Sequence, residues 1–369
     1  MLRDAVRQYA REQLAPNAAA WDRDGTFPQD ALKGLAAMGL YGIAIAEEWD
    51  GAGMDHTALA LALEEIAVGD GATSTIVQVN NLAAGILAGY GTPAQKERYL
   101  KPLARGDQLG AFALTEPHTG SDASAIRTRA EREGDTWILN GVKQFITSGK
   151  HADLAIVFAV TDRNAGKKGI SAFVVPTATP GYIVARIEEK TGQHASDTAQ
   201  ILFEDCRIPA ENLLGAEGEG YRIALANLES GRINVAAQSV GMARSALDAA
   251  LAYAHERTSF GKPLFGHQAV AFRLADMATG IEAARQLYLH AAALRDRALP
   301  CLKEASMAKL FASEMAERVC SDAIQIHGGY GYVRDFPVER IWRDVRVTQI
   351  YEGASDIQRM VIGRALAGG

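Results

Sequence analysis

The sequence lacks several features that would place it in other broad classes of protein. Its 369 residues include only three cysteines, Cys206, Cys301 and Cys320, which form no CxxC pair. A disulfide framework is therefore excluded, and a reducing compartment is expected. No apolar run reaches the ~18 residues that span a bilayer, so we expect no membrane insertion. The opening run MLRDAVRQYAREQL lacks the apolar centre of a signal peptide, so we expect no targeting segment in this chain.

Charge and missing motifs exclude further functions. Asp and Glu (44) outnumber Lys and Arg (38), and the net charge of −6 argues against a nucleic-acid partner. The eight histidines include no HExxH motif, so we expect no metal site. A GxSxG elbow, a GxxxxGK[ST] loop and a strand–GxGxxG–helix unit are all missing, which argues against a serine hydrolase, a P-loop nucleotidase and a Rossmann-type nicotinamide enzyme. Any redox cofactor must be held in another way.

Hydrophobic periodicity changes twice along the chain. Residues 1–108 carry apolar residues at three- and four-residue spacing, which predicts an N-terminal helical domain. Residues 109–219 consist of short β-rich runs separated by turn residues, which predicts a middle domain built as an antiparallel β-barrel or sandwich. Residues 220–369 return to helical spacing in long segments, as at 233–257 and 268–297, which predicts a helix bundle. The predicted fold class is α+β, with three domains in this order.

Glu352, in the run QIYEGASDIQR, is the leading candidate for a catalytic group. Gly353 follows it and allows a tight turn and the close approach of a ligand. If one helix ends at Gly353 and the next begins with a cap from Ser355 or Asp356, the carboxylate lies at the end of an element, facing a cavity. The alternative is a solvated Glu in an ordinary turn.

A second candidate segment, Phe112–Asp122 (FALTEPHTGSD), follows a β-rich run and is dense in small polar residues. Thr115 and Ser121 offer hydroxyl groups, and Gly120 lets backbone amides approach a ligand, such as a phosphate or a ring oxygen. The alternative is a plain turn between two strands, for which the proline, glycine and aspartate of the segment suffice.

A third segment, LNGVKQFITSG, places an aromatic residue and a hydroxyl group together. Asn140–Gly141 is predicted to form a hairpin-type turn, followed by Phe145 and Thr147. Such a pair can flank a planar heterocycle and hydrogen-bond to it. Core packing with a polar edge is the alternative.

Two further segments offer groups for an anionic ligand. In ERTSFGKPLFGHQ, Arg257 precedes a Phe260–Gly261 turn that ends one helix, and Gln268 begins the next. An Arg at a helix end can bind a pyrophosphate through its planar fork, or it can simply neutralise the helix C-terminus. In QIHGGYGY, Gly328 and Gly329 permit a left-handed helix exit and the close approach of a ligand.

Together, and in this order, these motifs resemble the acyl-CoA dehydrogenase family of flavoenzymes. The resemblance covers essentially the whole chain through FALTEPHTGSD, FEDCRIP, RTSFGKPL, QIHGGYGY and IYEGASDIQR. It is strongest towards the short-chain and short/branched-chain members, through KEASMAKLFASEMA and RDFPVERIWRDVRVTQIYEGAS. It implies a C-terminal four-helix bundle, a homotetramer, and FAD held between the β-domain and the bundle. The family's first helix usually begins some residues earlier, so the start of this chain is expected to be short.

The resemblance also implies roles for individual residues. Glu352 would be the catalytic base. One subgroup of the family carries its base at the position of Gly231, and a glycine there excludes that variant. The residues implied to contact the acyl-CoA are Ser121, Glu229, Arg232, Tyr351 and Gly353. The residues implied to bind FAD, partly across a subunit boundary, are Phe112, Leu114, Thr115, Gly120, Ser121, Phe145, Ile146, Thr147, Arg257, Phe260, Gln268, Gln325, Gly328, Gly329, Ala354 and Asp356.

The implied reaction is the α,β-dehydrogenation of a CoA thioester to a 2-enoyl-CoA. Glu352 would take the α-proton while the flavin accepts the β-hydrogen as hydride, and the backbone N–H of Glu352 would hydrogen-bond to the thioester carbonyl. Electrons would pass to an electron-transferring flavoprotein. The expected location is the cytoplasm of a bacterium or the mitochondrial matrix of a eukaryote. Two alternatives stay open: an acyl-CoA oxidase that uses oxygen, and a flavin-containing binding or stress protein without catalysis. Butyryl, isobutyryl and 2-methylbutyryl chains all fit the sequence.

Overall fold

A computed structural model describes residues 1–368 and confirms the predicted order of a helical part, a β-sheet part and a second helical part. The helices are α1 (Leu2–Tyr9), α2 (Ala15–Asp24), α3 (Gln29–Ala37), α4 (His56–Gly69), α5 (Gly71–Tyr90), α6 (Pro93–Gln95), α7 (Lys101–Arg105), α8 (Gly220–Glu256), α9 (Gln268–Asp296), α10 (Leu302–His327), α11 (Val338–Val345) and α12 (Ser355–Leu366). The strands are β1 (Gly110–Ala113), β2 (Arg129–Glu133), β3 (Thr136–Thr147), β4 (Leu154–Val160), β5 (Ile170–Pro176), β6 (Tyr182–Ile187), β7 (Thr198–Pro209), β8 (Leu213–Leu214), β9 (Thr258–Ser259) and β10 (Lys262–Pro263). None of the helices in residues 1–368 combines the length and the apolar character needed to cross a membrane.

Helix α5 is the buried element that connects the parts of the fold. It begins at Asp70, whose carboxylate accepts hydrogen bonds from the backbone N–H (2.8 Å) and the hydroxyl (2.7 Å) of Thr73. Such a cap satisfies an N–H group that the helix leaves unpaired. Leu82 and Ile86 pack in one cluster with the apolar faces of β4 and β5, while Ile76 packs in another with α1 and α4. The side chains of α5 therefore pack in two separate hydrophobic cores.

The middle part is one sheet of eight strands, in the order β6-β7-β3-β2-β4-β5-β8, with β1 beside β4. Most neighbours are antiparallel, as predicted, but β1 runs parallel to β4, and β2 meets β4 in one parallel pair. The predicted turn at Asn140–Gly141 is wrong, because both residues lie inside β3 and the hairpin between β2 and β3 turns at Gly134 instead. Gly141 marks a register shift, and a Cβ there would lie 2.6 Å from the Cα of Thr128. The glycine thus serves a close approach of two strands.

Three long helices, α8, α9 and α10, and two shorter ones, α11 and α12, form the C-terminal helical part. Helix α9 has nearly the predicted bounds, whereas α8 begins at Gly220, well before the predicted stretch. Small side chains, among them Ala236 and Ala308, fill the core that the three helices share. A Cβ on Gly241 would lie 2.2 Å from the carbonyl oxygen of Glu64, so glycine permits α8 to pack closely on α4.

The chain ahead of α12 differs from the sequence expectation. No helix ends at Gly353, because a short 3₁₀ turn (Arg346–Gln349) stops earlier and an irregular turn follows. The predicted cap by Ser355 or Asp356 is also wrong. Ala354 occupies the cap position without a side-chain hydrogen bond, the Ser355 hydroxyl has no partner in residues 1–368, and Asp356 is exposed. Other residues must hold the turn.

Candidate active site

The turn that carries Glu352 is held by two side chains from outside it. Glu352 has a φ of 53° and Gly353 a φ of 88°, both in the left-handed region that a Glu rarely adopts. The Gln358 amide donates to the carbonyls of Glu352 (3.2 Å) and Gly353 (2.8 Å), and Lys309 Nζ donates to the carbonyl of Gly353 (2.8 Å). The surrounding structure therefore fixes a strained residue, which is a common property of functional sites.

The Glu352 carboxyl group lies against α8. Its Oε2 atom is buried and has no hydrogen-bond partner in residues 1–368. A Cβ on Gly231 would lie 2.5 Å from this oxygen, so a larger residue there would displace the carboxyl group from its present position. Burial raises the pKa of Glu352 to about 7, while Arg232 and Lys309 oppose the shift. A carboxylate with this pKa can accept a proton near neutral pH.

Two buried cationic side chains lie near this carboxyl group. Arg232 donates to the Ser306 hydroxyl (3.3 Å), and its Nε has no partner in the part of the chain that the structure describes. Lys309 is fully buried. Burial lowers the pKa of Arg232, and it lowers the pKa of Lys309 to about 7, while Glu352 raises both. The structure thus brings the predicted residues Arg232, Gly353 and Glu352 together and adds Lys309.

Glu229 lies on α8 about one helical turn before Arg232, but its side chain is bound by residues outside the Glu352 turn. Its Oε1 accepts from Arg295 (3.0 Å) and from the Cys301 thiol (3.1 Å). These contacts direct the side chain towards the end of α9 and the start of α10. Its predicted contact with substrate stays a prediction.

Tyr351 is held by a chain of hydrogen bonds that crosses the fold. Its hydroxyl donates to Gln238 Oε1 (2.5 Å), and Gln238 Nε2 donates to Thr75 Oγ1 (2.6 Å). The Thr75 hydroxyl donates to Gln193 Oε1 (2.7 Å), and the Gln193 backbone N–H donates to the Asp344 carboxylate (2.5 Å). The chain joins α8, α5, the loop between β6 and β7, and α11. Tyr351 therefore has a defined place beside Glu352.

The ends of β1 and β3 form a second part of the site. The backbone N–H of Gln144 donates to the carbonyl of Thr115 (2.9 Å) and ties the two segments together. Beneath them Lys143, fully buried, donates to the carbonyl of Leu114 (3.0 Å) and to the carboxylate of Glu116 (2.8 Å). Burial lowers the pKa of Lys143 to about 8, and Glu116 opposes the shift. This ion pair anchors the predicted cofactor loop from inside.

The surface above this ion pair fits a planar aromatic ligand. Phe145 is 61% exposed and has a φ of 60°, at a register shift in the pairing of β3 with β7. Ile146 beside it is buried, Thr147 is partly exposed, and Gly120 and Ser121 are exposed on the neighbouring loop. An exposed phenyl ring on strained backbone, next to hydroxyl groups, is the arrangement expected where a flat heterocycle stacks. The residues present therefore fit the isoalloxazine ring of FAD.

The loop between β6 and β7 connects the two parts of the site. The backbone N–H of Ser148, just after β3, donates to the carbonyl of Asp197 (3.1 Å), and that of Lys150 donates to the Asp197 carboxylate (2.9 Å). The same loop carries Gln193, which belongs to the hydrogen-bond chain of Tyr351. Both parts of the site are therefore attached to one loop.

Six of the predicted FAD residues, Arg257, Phe260, Gln268, Gln325, Gly328 and Gly329, form a separate exposed group. Of the others, Ala354 and Asp356 directly follow the Glu352–Gly353 turn, Phe112 is partly buried and Leu114 is buried. Phe260, 96% exposed with a φ of 50°, lies in the turn between β9 and β10. The Arg257 guanidinium lies 5.9 Å from the ring centre of Tyr330, which connects this turn to the end of α10. In residues 1–368 no hydrogen bond, ion pair or ring contact joins the group to the Glu352 turn. Also exposed here are Gln268, Gln325, Gly328 and Gly329.

Several residues of the site were not predicted from the sequence. They are Thr75, Glu116, Lys143, Gln193, Gln238 and Lys309. For Lys309 a signal existed: Ala305, Ala312 and Ala316 mark the buried face of α10, and Lys309 lies on the same face at helical spacing. A lysine on a buried face needs a partner.

Comparisons with known proteins agree on one family. The N-terminal, middle and C-terminal domain families of acyl-CoA dehydrogenase match residues 1–107, 111–206 and 218–367. The mitochondrial short-chain specific acyl-CoA dehydrogenase of Rattus norvegicus is 48% identical over 98% of this chain and 88% of its own. The butyryl-CoA dehydrogenase structure from Megasphaera elsdenii superimposes with a TM-score of 0.97 at 42% identity, covering 99% and 97% of the two chains. A chain in the structure of the electron transferring flavoprotein of Acidaminococcus fermentans superimposes with a TM-score of 0.98 at 46% identity, covering 99% and 97%.

Proposed function

Because the chain belongs to the acyl-CoA dehydrogenase family, whose enzymes use FAD, we propose that it oxidises short or short-branched acyl-CoA thioesters to 2-enoyl-CoA, with Glu352 as the base. The observation that carries the proposal is the Glu352 carboxyl group. Its Oε2 atom is buried without a hydrogen-bond partner in residues 1–368, and burial raises the pKa of the group to about 7. A general base works best when its pKa lies near the working pH.

The chemistry explains why the carboxyl group must be dry. A C–H bond next to a thioester is a weak acid, so a solvated carboxylate is too weak a base for it. Burial raises the proton affinity of Glu352, while Arg232 and Lys309 keep enough positive charge nearby for the carboxylate to ionise. Glu352 Oε2 would accept the α-proton, and the backbone N–H of Glu352 would donate to the thioester oxygen as negative charge develops there.

FAD, when bound, supplies the acceptor for the β-hydrogen as hydride. Phe145, Thr147 and the loop around Thr115 would hold its ring system, and the buried Lys143–Glu116 pair would keep that loop in place. Arg257 and the exposed group around Phe260 would bind the rest of the cofactor together with another subunit of a homotetramer. The large exposed apolar side chains of that group, including Tyr332 at 88%, are suited to a subunit contact.

The acyl chain and the electron acceptor are proposed from relatives. The rat protein is named for short-chain specificity and the M. elsdenii protein for butyryl-CoA. The A. fermentans structure is named for an electron transferring flavoprotein, which supports such a protein as the acceptor.

The test is anaerobic bleaching of the visible FAD absorbance by a panel of acyl-CoA thioesters. We expect the strongest bleaching with butyryl-CoA, isobutyryl-CoA or 2-methylbutyryl-CoA. Strongest bleaching by a long-chain substrate would contradict the short-chain proposal. Turnover in air that releases hydrogen peroxide as fast as a dye is reduced would favour the oxidase, and a colourless protein, or flavin that no acyl-CoA bleaches, would favour a binding protein.

A further inference from the structure

We propose that Lys309 is a positioning residue for Glu352. The hydrogen bond from Lys309 fixes the Glu352–Gly353 turn, and the charge of Lys309 keeps the Glu352 carboxyl group ionised for proton abstraction. This inference rests on the proposed role of Glu352 as base. It concerns a residue of the KEASMAKLFASEMA segment to which the sequence assigned no role, on helix α10, which is distant in sequence from the turn.

The first support is the position of the ammonium group. Lys309 lies on the buried face of α10, and its side chain is fully buried. Its only hydrogen bond in residues 1–368 goes to the carbonyl of Gly353, at 2.8 Å. No carboxylate in that part of the chain forms an ion pair with it within 4.0 Å. A buried ammonium group with one acceptor is destabilising, and an apolar side chain would fill the same place at less cost.

The second support is the effect of the Lys309–Gly353 hydrogen bond on the turn. Glu352 is in the left-handed region, and the carbonyl that Lys309 contacts belongs to the next residue. Gln358, on α12, donates to the same carbonyl. The two donors therefore clamp the peptide that sets the direction of the Glu352 side chain towards Gly231. Without Lys309, only Gln358 would donate a hydrogen bond to this carbonyl.

The third support is the charge around the carboxyl group. Arg232 faces it from α8, Lys309 from α10, and the Tyr351 phenol lies beside it in the turn. The charged groups that act on Lys309 are Glu352, Arg232 and the more distant Glu314. The Lys309 charge lowers the pKa of Glu352 and the Glu352 charge raises the pKa of Lys309, so each group favours the ionised form of the other. A positive Lys309 favours the ionised carboxylate, so its loss must raise the pKa of Glu352.

The experiment compares Lys309→Met with Lys309→Arg, and with Lys303→Met as a matched control. Lys303 lies on the same helix but is 40% exposed and pairs with Glu304. Two quantities are measured for each FAD-loaded protein: the pH profile of kcat, and the titration of the Glu352 carboxyl band by infrared difference against Glu352→Gln. Retained FAD absorbance and an unchanged KM show that the site has folded.

We expect the acid limb of the kcat profile and the infrared titration of Lys309→Met to move together to higher pH. A shift of one pH unit lowers the rate on the acid limb about tenfold and leaves the alkaline plateau less affected. Lys309→Arg, which keeps the charge, should stay close to the parent protein, and Lys303→Met should be identical to it. An equal loss at all pH values with no infrared shift would mean that Lys309 only supports packing, and the inference would fall.

The outcomes separate this inference from the proposed function. If Glu352→Gln is inactive and Lys309→Met titrates like the parent protein, the inference about Lys309 is wrong and the base assignment stands. If Glu352→Gln retains turnover, the base assignment is wrong, while the infrared titration still decides whether Lys309 lowers the pKa of Glu352. Should Lys309→Met fail to bind FAD, Lys309→Arg decides: a shifted titration in that variant contradicts the charge argument.

Discussion

Replacing Glu352 by Gln should make the protein more stable above neutral pH while it abolishes turnover. Burial raises the pKa of this carboxyl group from 4.5 to about 7. The folded state therefore binds a proton at pH values where the unfolded chain has already released it. Gln resembles the protonated carboxyl group in shape and is neutral at every pH.

The sign and size of the effect follow from proton linkage. Between pH 4.5 and about 7 the folded state holds more protons than the unfolded state, so the folding free energy becomes less favourable as the pH rises. Each pH unit in this window is worth about 1.4 kcal/mol, which gives an upper limit of about 3 kcal/mol above pH 7. Because the residue as a whole is partly exposed and only Oε2 is fully buried, we expect about 1–2 kcal/mol.

The assay is thermal unfolding of both proteins, saturated with FAD, at a series of pH values from about 5 to 8.5. We expect equal melting temperatures at pH 5. Above pH 7 the melting temperature of Glu352→Gln should be a few degrees higher than that of the parent protein. Glu217→Gln is the control, because Glu217 is exposed and should show no such trend. A difference that is constant with pH, or a Gln variant that melts lower at pH 8, would refute the buried-base reasoning.

Four further predictions concern the two parts of the candidate site. The value of kcat/KM should rise with pH through about 7, because the ionised Glu352 is the active form; a profile flat from pH 5 to 9 would contradict this. Gly231→Ala should retain FAD but lose at least about tenfold in kcat, since its Cβ would lie 2.5 Å from the Glu352 carboxyl oxygen. Glu116→Gln should weaken FAD binding, because the buried Lys143 loses its ion pair; a broken pair of this kind costs about 3–5 kcal/mol, and an unchanged dissociation constant and melting temperature would contradict it. Thr75→Val should lower kcat by interrupting the hydrogen bonds that hold the tyrosine beside the base, and Thr75→Ser should restore it.

The sequence predicts the order of the domains because helical and strand periodicities differ and change twice along the chain. It also predicts the turn at Phe260–Gly261 and the start of α9 at Gln268, because glycine is a strong local turn signal. The turn does not end a helix as predicted, since α8 ends at Glu256 and the turn joins β9 to β10. The prediction of a turn at Asn140–Gly141 rests on an equally local signal, and it is wrong. Asn-Gly is a common hairpin signal, but here strand pairing on both sides of β3 and the close approach to Thr128 override it.

The candidate site is predictable only where a motif lies in one continuous segment. Glu352, Phe145 and Thr115 belong to such segments. Gln193 acts across domain boundaries through a chain of side-chain hydrogen bonds, and Lys309 joins two distant segments of the C-terminal part through one hydrogen bond to a backbone carbonyl. Contacts of this type depend on how distant elements pack. Helical spacing marks Lys309 as a buried residue, but it does not identify the carbonyl to which Lys309 donates. The pKa of the base depends on the same packing, because burial is its largest cause.

Proton abstraction by Glu352 is tested most directly by mixing the FAD-loaded protein with butyryl-CoA without oxygen and following the visible absorbance in a single turnover. Deuterium at the α-carbon should slow the bleaching by the parent protein. Glu352→Gln should bind the same thioester and remain yellow, with a rate lower by several orders of magnitude. Bleaching of Glu352→Gln at nearly the parent rate would contradict the assignment of Glu352 as the base.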